Sequence, residues 1–169
     1  RSYKCEFKKR KAMLKPTLVT LPETKLVGKK RSMSLIDNQT QVLWQDFMPN
    51  RKGITNRIGN DYYSVQNYNP DYFEHFNPSK TFEKWAAVAV NAFEKIPEDM
   101  ESFTLSTGLY AVFEHKGMDT AIFQQIFTEW LPNAPYILDH RPHFELLGEK
   151  YKNGDPNSEE QIWIPIRQQ

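Results

Sequence analysis

A glutamate set between large apolar side chains is the residue in this sequence best placed to do chemistry. Pro142-His143-Phe144-Glu145-Leu146-Leu147 reads as a strand, so Phe144 and Leu146 share one face while Glu145 and Leu147 share the other. If Phe144 and Leu146 cover helices, Glu145 points into whatever groove the opposite face leaves. A carboxylate walled by aromatic rings is disfavoured in its charged form by desolvation and welcomes a cation or a hydrogen-bond donor. On an open sheet face the same side chain is simply solvated, the commoner fate of an acid. Trp163 alternates with Ile162, Ile164 and Ile166, so it is expected on the groove side, with Trp85 in the matching place. Rings on a face without helices stack on a flat or cationic ligand, or lie under a loop, for which residues 69–81 are the candidate lid. Ser64, Gln66 and Tyr68 form the more polar face of the Asp61–Tyr68 segment and are assigned to the groove. Tyr110 shares a face with Val112, and alternation does not say which face of that strand is core.

Other chemistries find less support. His140 and His143 share a loop with Asp139, but nothing else converges on them, and a metal site wants three or four ligands; no metal or cofactor is expected. There is no Gly-x-Ser-x-Gly elbow, and the seven glycines do not cluster into a phosphate loop. A net charge of +1 gives no global field to gather nucleic acid, so no direct nucleic-acid binding is expected. The positive charge is concentrated in Arg1, Lys4, Lys8, Lys9, Arg10, Lys11 and Lys15, against the single acid Glu6. Residues 1–15 are therefore expected to be a solvated basic leader or linker outside the domain. The lone cysteine, Cys5, allows no intramolecular disulfide, and a reducing, cytoplasmic compartment is the simpler expectation. The longest apolar run, Trp85–Phe93, falls short of the ~18 residues of a membrane helix, so no membrane contact is expected.

The elements that must position Glu145 follow from periodicity. Strands are expected over Thr17–Thr20, Lys25–Ser34, Asp61–Tyr68 and Phe82–Ala92, the last favoured over helix by β-branched Val88 and Val90. A helix capped by Asn38 or Thr40 runs through Leu43, Trp44 and Phe47 until Pro49. After a strand and glycine turn at Gly108–Gly117, Ile122, Phe123, Ile126, Phe127 and Trp130 mark one face of a helix over Met118–Leu131, which Pro132 ends. Trp44, Phe47, Phe127 and Trp130 are expected in the core. An internal match then appears: Trp44–Asn50 aligns with Phe127–Asn133 at an offset of 127 − 44 = 83, and Trp85 with Trp163 at 163 − 85 = 78. Two strand-helix-strand-strand units, about 16–95 and 96–169, are expected to pack about a pseudo-twofold axis. The fold class is α+β: duplicated βαββ units forming one antiparallel-rich sheet, two helices on one face, and a ligand groove along the axis on the other.

Taken together, Tyr110–Gly117, the helix ending Glu129-Trp130-Leu131-Pro132, Pro142–Leu146 and Glu160–Ile166 resemble the GyrI-like small-molecule-binding domain. That domain is the effector-binding half of many AraC-type and multidrug-sensing bacterial transcription regulators, and it also occurs alone. The resemblance covers roughly Leu18 to Arg167 and is strongest from Leu105 onward. It implies a pocket at the junction of the halves, lined by aromatics, with a carboxylate after the second helix that falls on Glu145. A tyrosine often follows the Phe-Glu-Leu motif in relatives; Leu147 stands there, with Tyr151 four residues on. The implied partners are a small aromatic or cationic ligand and a DNA-binding domain upstream, of which the basic leader would be the linker. Two rival functions belong to the same resemblance: hydrolysis of reactive small molecules with Glu145 as general base, and a protein-binding role of the topoisomerase-inhibitor kind.

Overall fold

The computed structural model describes residues 14–169; Cys5 and the basic leader up to residue 13 lie outside the described residues. In chain order the elements are β1 (Thr17–Leu21), β2 (Thr24–Met33), α1 (Thr40–Phe47), β3 (Tyr62–Asn67), β4 (Phe82–Ala89), β5 (Glu101–Leu105), β6 (Gly108–Lys116), α2 (Ala121–Gln125), β7 (Tyr136–Leu138), β8 (His143–Leu147) and β9 (Glu159–Gln168). All strand pairs are antiparallel, in the order β1-β6-β9-β8-β3-β4-β2-β5, with β7 alongside β9. This order reads the same from either edge once β1, β2, β3 and β4 are exchanged with β5, β6, β8 and β9. The register obeys the same exchange: Ser64 faces Glu145 and Gln66 faces His143, on either side of the Val65–Phe144 pair. Each half lends its first strand to the other, since β1 pairs with β6 and β5 with β2.

The connections dictate the shape of the sheet. β1 lies at one edge and β2 next to the other, six strand spacings apart or about 29 Å in a flat sheet. Only Pro22 and Glu23 join them, and three Cα steps reach about 11 Å. Ser106 and Thr107 impose the same limit on β5 and β6. The sheet must therefore curl until its edges approach; at the turn into β6 the Thr107 hydroxyl donates to the Leu21 carbonyl at 2.8 Å, beside the Leu21–Gly108 pair.

Curling seals one face of the sheet against itself. Leu26, Val65, Trp85, Tyr110, Phe144 and Trp163 form this interior, with Leu21 and Leu105 from the two edges. Phe144 stacks on Trp163 at 5.0 Å between ring centroids, and Tyr110 meets both rings edge-on. The Tyr110 hydroxyl donates to the Pro142 carbonyl at 2.8 Å, giving the buried phenol its partner. The face expected to stay open as a groove is thus a closed core.

Both helices pack on the other face, as expected, over separate patches. Leu43 and Phe47 of α1 cover Val27, Ala86 and Val88; Ile126, just after α2, covers Ala111, Phe113, Ile162, Ile164 and Ile166. The second helix is less regular than its periodicity predicts. After Gln125 it widens to a π-type turn over Ile126–Trp130 and tightens over Leu131–Asn133. The Thr128 hydroxyl donates to the Gln124 carbonyl at 2.8 Å, a back-bond that bends helices. At the first helix the Asn38 carboxamide oxygen accepts from the Thr40 amide at 3.1 Å, and Gly117 makes the turn after β6 with φ +97°, a region open to glycine.

A carboxylate-floored groove between the helices

The gap between the two helices leaves β3 and β8 uncovered, and that gap is the groove. Gln66 lies opposite Lys84 on one side and His143 on the other, and Glu145 lies opposite Ser64 and Ile162. Directly paired residues share a face, so Lys84, Gln66, His143, Glu145 and Ile162 all look toward the helices. Phe123 and Phe127 form the wall on the α2 side; Ser34, Leu35, Asn38 and Thr40 form the wall leading into α1; Tyr68 and Phe82 close one end. The enclosed volume is about 180 Å³.

The floor is electrically uneven. The Gln66 carboxamide donates to Oε2 of Glu145 at 2.7 Å, while Oε1 has no partner among the described residues. Glu145 is half-buried as a whole, but its carboxyl lies deep enough that desolvation pushes its pKa up. Glu160 adds to that rise, while Lys84 and the Gln66 hydrogen bond oppose it. Burial also takes the His143 imidazole down to about 3, leaving it neutral, and lifts the Tyr68 phenol well above its ordinary value, with the charge of Glu145 adding to the effect.

An aromatic cluster finishes the end of the groove. Tyr68 sits 4.5–5.2 Å from the rings of Tyr72, Phe73, Phe82 and His143. Phe73 stacks on His143 at 5.3 Å and on Phe127 at 5.3 Å. The 69–81 segment is therefore a strap pinned by Phe73 beside the groove. It does not cover Trp85 and Trp163, where the lid was expected. Beyond Tyr68 and His143 lies a second hollow of about 240 Å³, bordered by Phe73, Asp139, His140 and Arg141. Asp139 there accepts from Arg141 Nε at 2.7 Å, and the guanidinium lies 4.6 Å above the Tyr110 ring, so the Asp139–His140–His143 loop is organised by arginine. Among the described residues no group of three His, Cys, Asp or Glu side chains is gathered for a metal.

Of the residues singled out from sequence, Glu145, Gln66 and Tyr68 line the groove, and Ser64 is buried beside Glu145. Leu147 is buried opposite Tyr62, outside the lining. Trp85 and Tyr110 belong to the sealed face, as does the ring of Trp163, although Trp163 also borders the groove. The reason is register: Glu145 pairs with Ile162 and Phe144 with Trp163, so Phe144 and Leu146 turn away from the helices. Sequence reasoning missed Lys84, Phe82, Phe123, Phe127 and His143 as groove residues. Lys84 had a usable signal, because it interrupts the small apolar alternation Ala86, Val88, Val90 on the helix-facing side of its strand.

An antiparallel nine-stranded sheet with two helices packed on one face is an α+β architecture of the GyrI-like kind. The chain belongs to the Cass2 family of integron-associated effector binding proteins, whose model matches residues 17–166. Among solved structures, SAV2435 bound to tetraphenylphosphonium is similar at a TM-score of 0.62 and 21% identity, over 91% of this chain and 94% of that one. An integron cassette protein from the mobile metagenome of Vibrio cholerae matches at 0.60 and 13%, over 92% and 98%. EcmrR in its complex with DNA matches at 0.70 and 16%, over 96% of this chain and 60% of that one. At these identities the structures speak to the fold. A comparison with curated proteins returns no match. No helix among the described residues is long and apolar enough to cross a membrane.

Proposed function

We propose that the groove binds a small aromatic effector through a cationic or hydrogen-bond-donating group set on Glu145, as the sensing domain of a transcription regulator or as a stand-alone sensor. The observation that carries this reading is the half-satisfied carboxylate: Gln66 occupies one oxygen, and the other is left without a partner among the described residues, inside walls of Phe123, Phe127, Tyr68 and Phe82. A desolvated carboxylate in such a site gains more from an incoming donor than a solvated one. Aromatic walls favour flat bodies and add cation–π attraction. SAV2435, with the same fold, was captured with the aromatic cation tetraphenylphosphonium. The groove volume is below the ~300 Å³ at which drug-sized pockets begin, so the effector is small or the Phe73 strap withdraws to admit a larger one. Any contact with DNA would be made by a separate domain, as the EcmrR–DNA complex suggests.

Tryptamine and its neutral analogue tryptophol test the reading, because they share an indole body and differ in charge. At 100 times its dissociation constant a ligand stabilises the fold by about 2.7 kcal/mol. Tryptamine is expected to raise the melting temperature of the native protein, tryptophol to do so less, and Glu145→Gln to remove the difference. Equal shifts from both compounds in both proteins would place the binding away from Glu145.

A further inference from the structure

The two halves of the groove floor are related by the fold but not by chemistry. Exchange of the halves carries Gln66 onto Glu145 (145 − 66 = 79) and Lys84 onto Ile162 (162 − 84 = 78). One half of the floor thus offers an ammonium and an amide, and the other a carboxylate and an alkyl chain. The walls divide the same way. Ser34, Asn38 and Thr40 stand on the α1 side, and Phe123 and Phe127 on the α2 side, with Ile164 beside them.

Lys84 does not neutralise Glu145 by contact. It is half-buried and borders the groove, yet among the described residues it makes no ion pair or side-chain hydrogen bond. Its charge is near enough to be felt at the carboxyl, whose side-chain hydrogen bond among the described residues comes from Gln66. An opposite-sign pair held apart across a groove suits a guest that carries both signs. A plain cation would gain from Glu145 but meet repulsion from Lys84, and a plain anion the reverse. Lys84 would also hold an anionic group in the same groove as the N–H donors of the Asn38 carboxamide, whose oxygen is already occupied by the Thr40 hydroxyl at 2.7 Å.

Resting on the effector-binding reading above, we propose that the groove selects aromatic zwitterions. The ligand's ammonium sits on Glu145, its carboxylate turns to Lys84 and the α1 wall, and its ring lies against Phe123 and Phe127.

Calorimetric titration of the whole chain with tryptophan, tryptamine and indole-3-propionate tests this with one ring and three charge states. Tryptophan is expected to bind at least about tenfold more tightly than either singly charged analogue, a difference of about 1.4 kcal/mol. Lys84→Met should erase the advantage over tryptamine while tryptamine binds as well or better, and Lys84→Arg should restore it. The melting temperature of each variant shows that the fold survives. If tryptamine binds as tightly as tryptophan, with Lys84→Met without effect, the zwitterion proposal is overturned. The cation reading then still stands, provided Glu145→Gln abolishes tryptamine binding. Absence of binding by all three compounds overturns both.

Discussion

Two pairs of symmetry-related positions sit side by side in this sheet and have met opposite fates. Trp85 and Trp163 are the same residue in both halves and are both buried, at 3% and 8% exposure. Each indole N–H donates to the side chain two residues earlier, to Glu83 at 2.8 Å and to Gln161 at 3.2 Å. Gln66 and Glu145, by contrast, differ in charge and hydrogen-bond directly to one another across the axis. The first pair faces the interior that the curled sheet seals, where packing leaves little room for change. The second faces the groove, where a guest without twofold symmetry can use two unlike halves.

That contrast is broken most forcefully from the sealed side. Trp163→Ala and Trp85→Ala are each expected to lower unfolding stability by about 3–5 kcal/mol, from lost burial and the cavity left behind. Denaturant titration of the two variants should give losses within about 1 kcal/mol of each other. Were Trp163 a groove residue, as strand alternation alone suggests, its removal would instead weaken ligand binding and leave stability nearly intact.

Why alternation misled there, and succeeded elsewhere, is a matter of what local pattern contains. Most strands, the first helix and the internal match were legible because apolar spacing and the Trp-x-x-Phe-Met-Pro-Asn and Phe-x-x-Trp-Leu-Pro-Asn segments are local, whereas β5 and β7 were not expected and the second helix begins at Ala121, after the expected Met118. Alternation also separated Glu145 from Phe144 correctly. It could not say which side of a strand meets the helices, and a wrong choice moved Trp163 and Trp85 into the site and left Lys84, Phe123 and Phe127 out. The information that decides the face is non-local. It lies in two-residue links joining opposite ends of the sheet, which force the helix-free face closed. Glu145 was reached because the resemblance and the chemistry of a carboxylate among aromatics both pointed to it.

A smaller effect separates two neighbours on the groove face, His143 and Glu145, by the sign of their pH dependence. The His143 imidazole falls from 6.5 to about 3 in the fold, so its contribution is fully present above pH 6.5. It is lost as pH drops toward 3, because the unfolded chain takes up the proton first. Glu145 is shifted up from 4.5, so its share of stability is full below pH 4.5 and is lost as pH rises through the folded-state value. Each slope is at most about 1.4 kcal/mol per pH unit. Melting temperatures measured from pH 4 to 8 should show His143→Phe flattening the acid side. Glu145→Gln should melt higher than the native protein at pH 7 and converge with it near pH 4. A Glu145→Gln curve parallel to the native one would mean that the carboxyl is not desolvated.

The smallest test asks whether the two helices are equivalent below the level of the groove. Asn50 donates to the Asp46 carbonyl at 2.8 Å and Asn133 to the Glu129 carbonyl at 2.7 Å, each tying the Pro-Asn turn back to the end of its helix. Both asparagines are exposed, so their loss leaves no buried group unpaired, and each bond contributes about 0.5–1.5 kcal/mol. Asn50→Ala and Asn133→Ala should therefore destabilise by similar amounts, and the double variant by their sum within about 0.5 kcal/mol, since the two sites share no partner. Only the second helix ends in a wide turn that carries Phe127 into the groove. Asn133→Ala should then also loosen the Phe127–Phe73 stack and weaken ligand binding, which Asn50→Ala should leave unchanged. Equal binding losses from both would show that the groove walls respond to the fold as a whole and not to the α2 side.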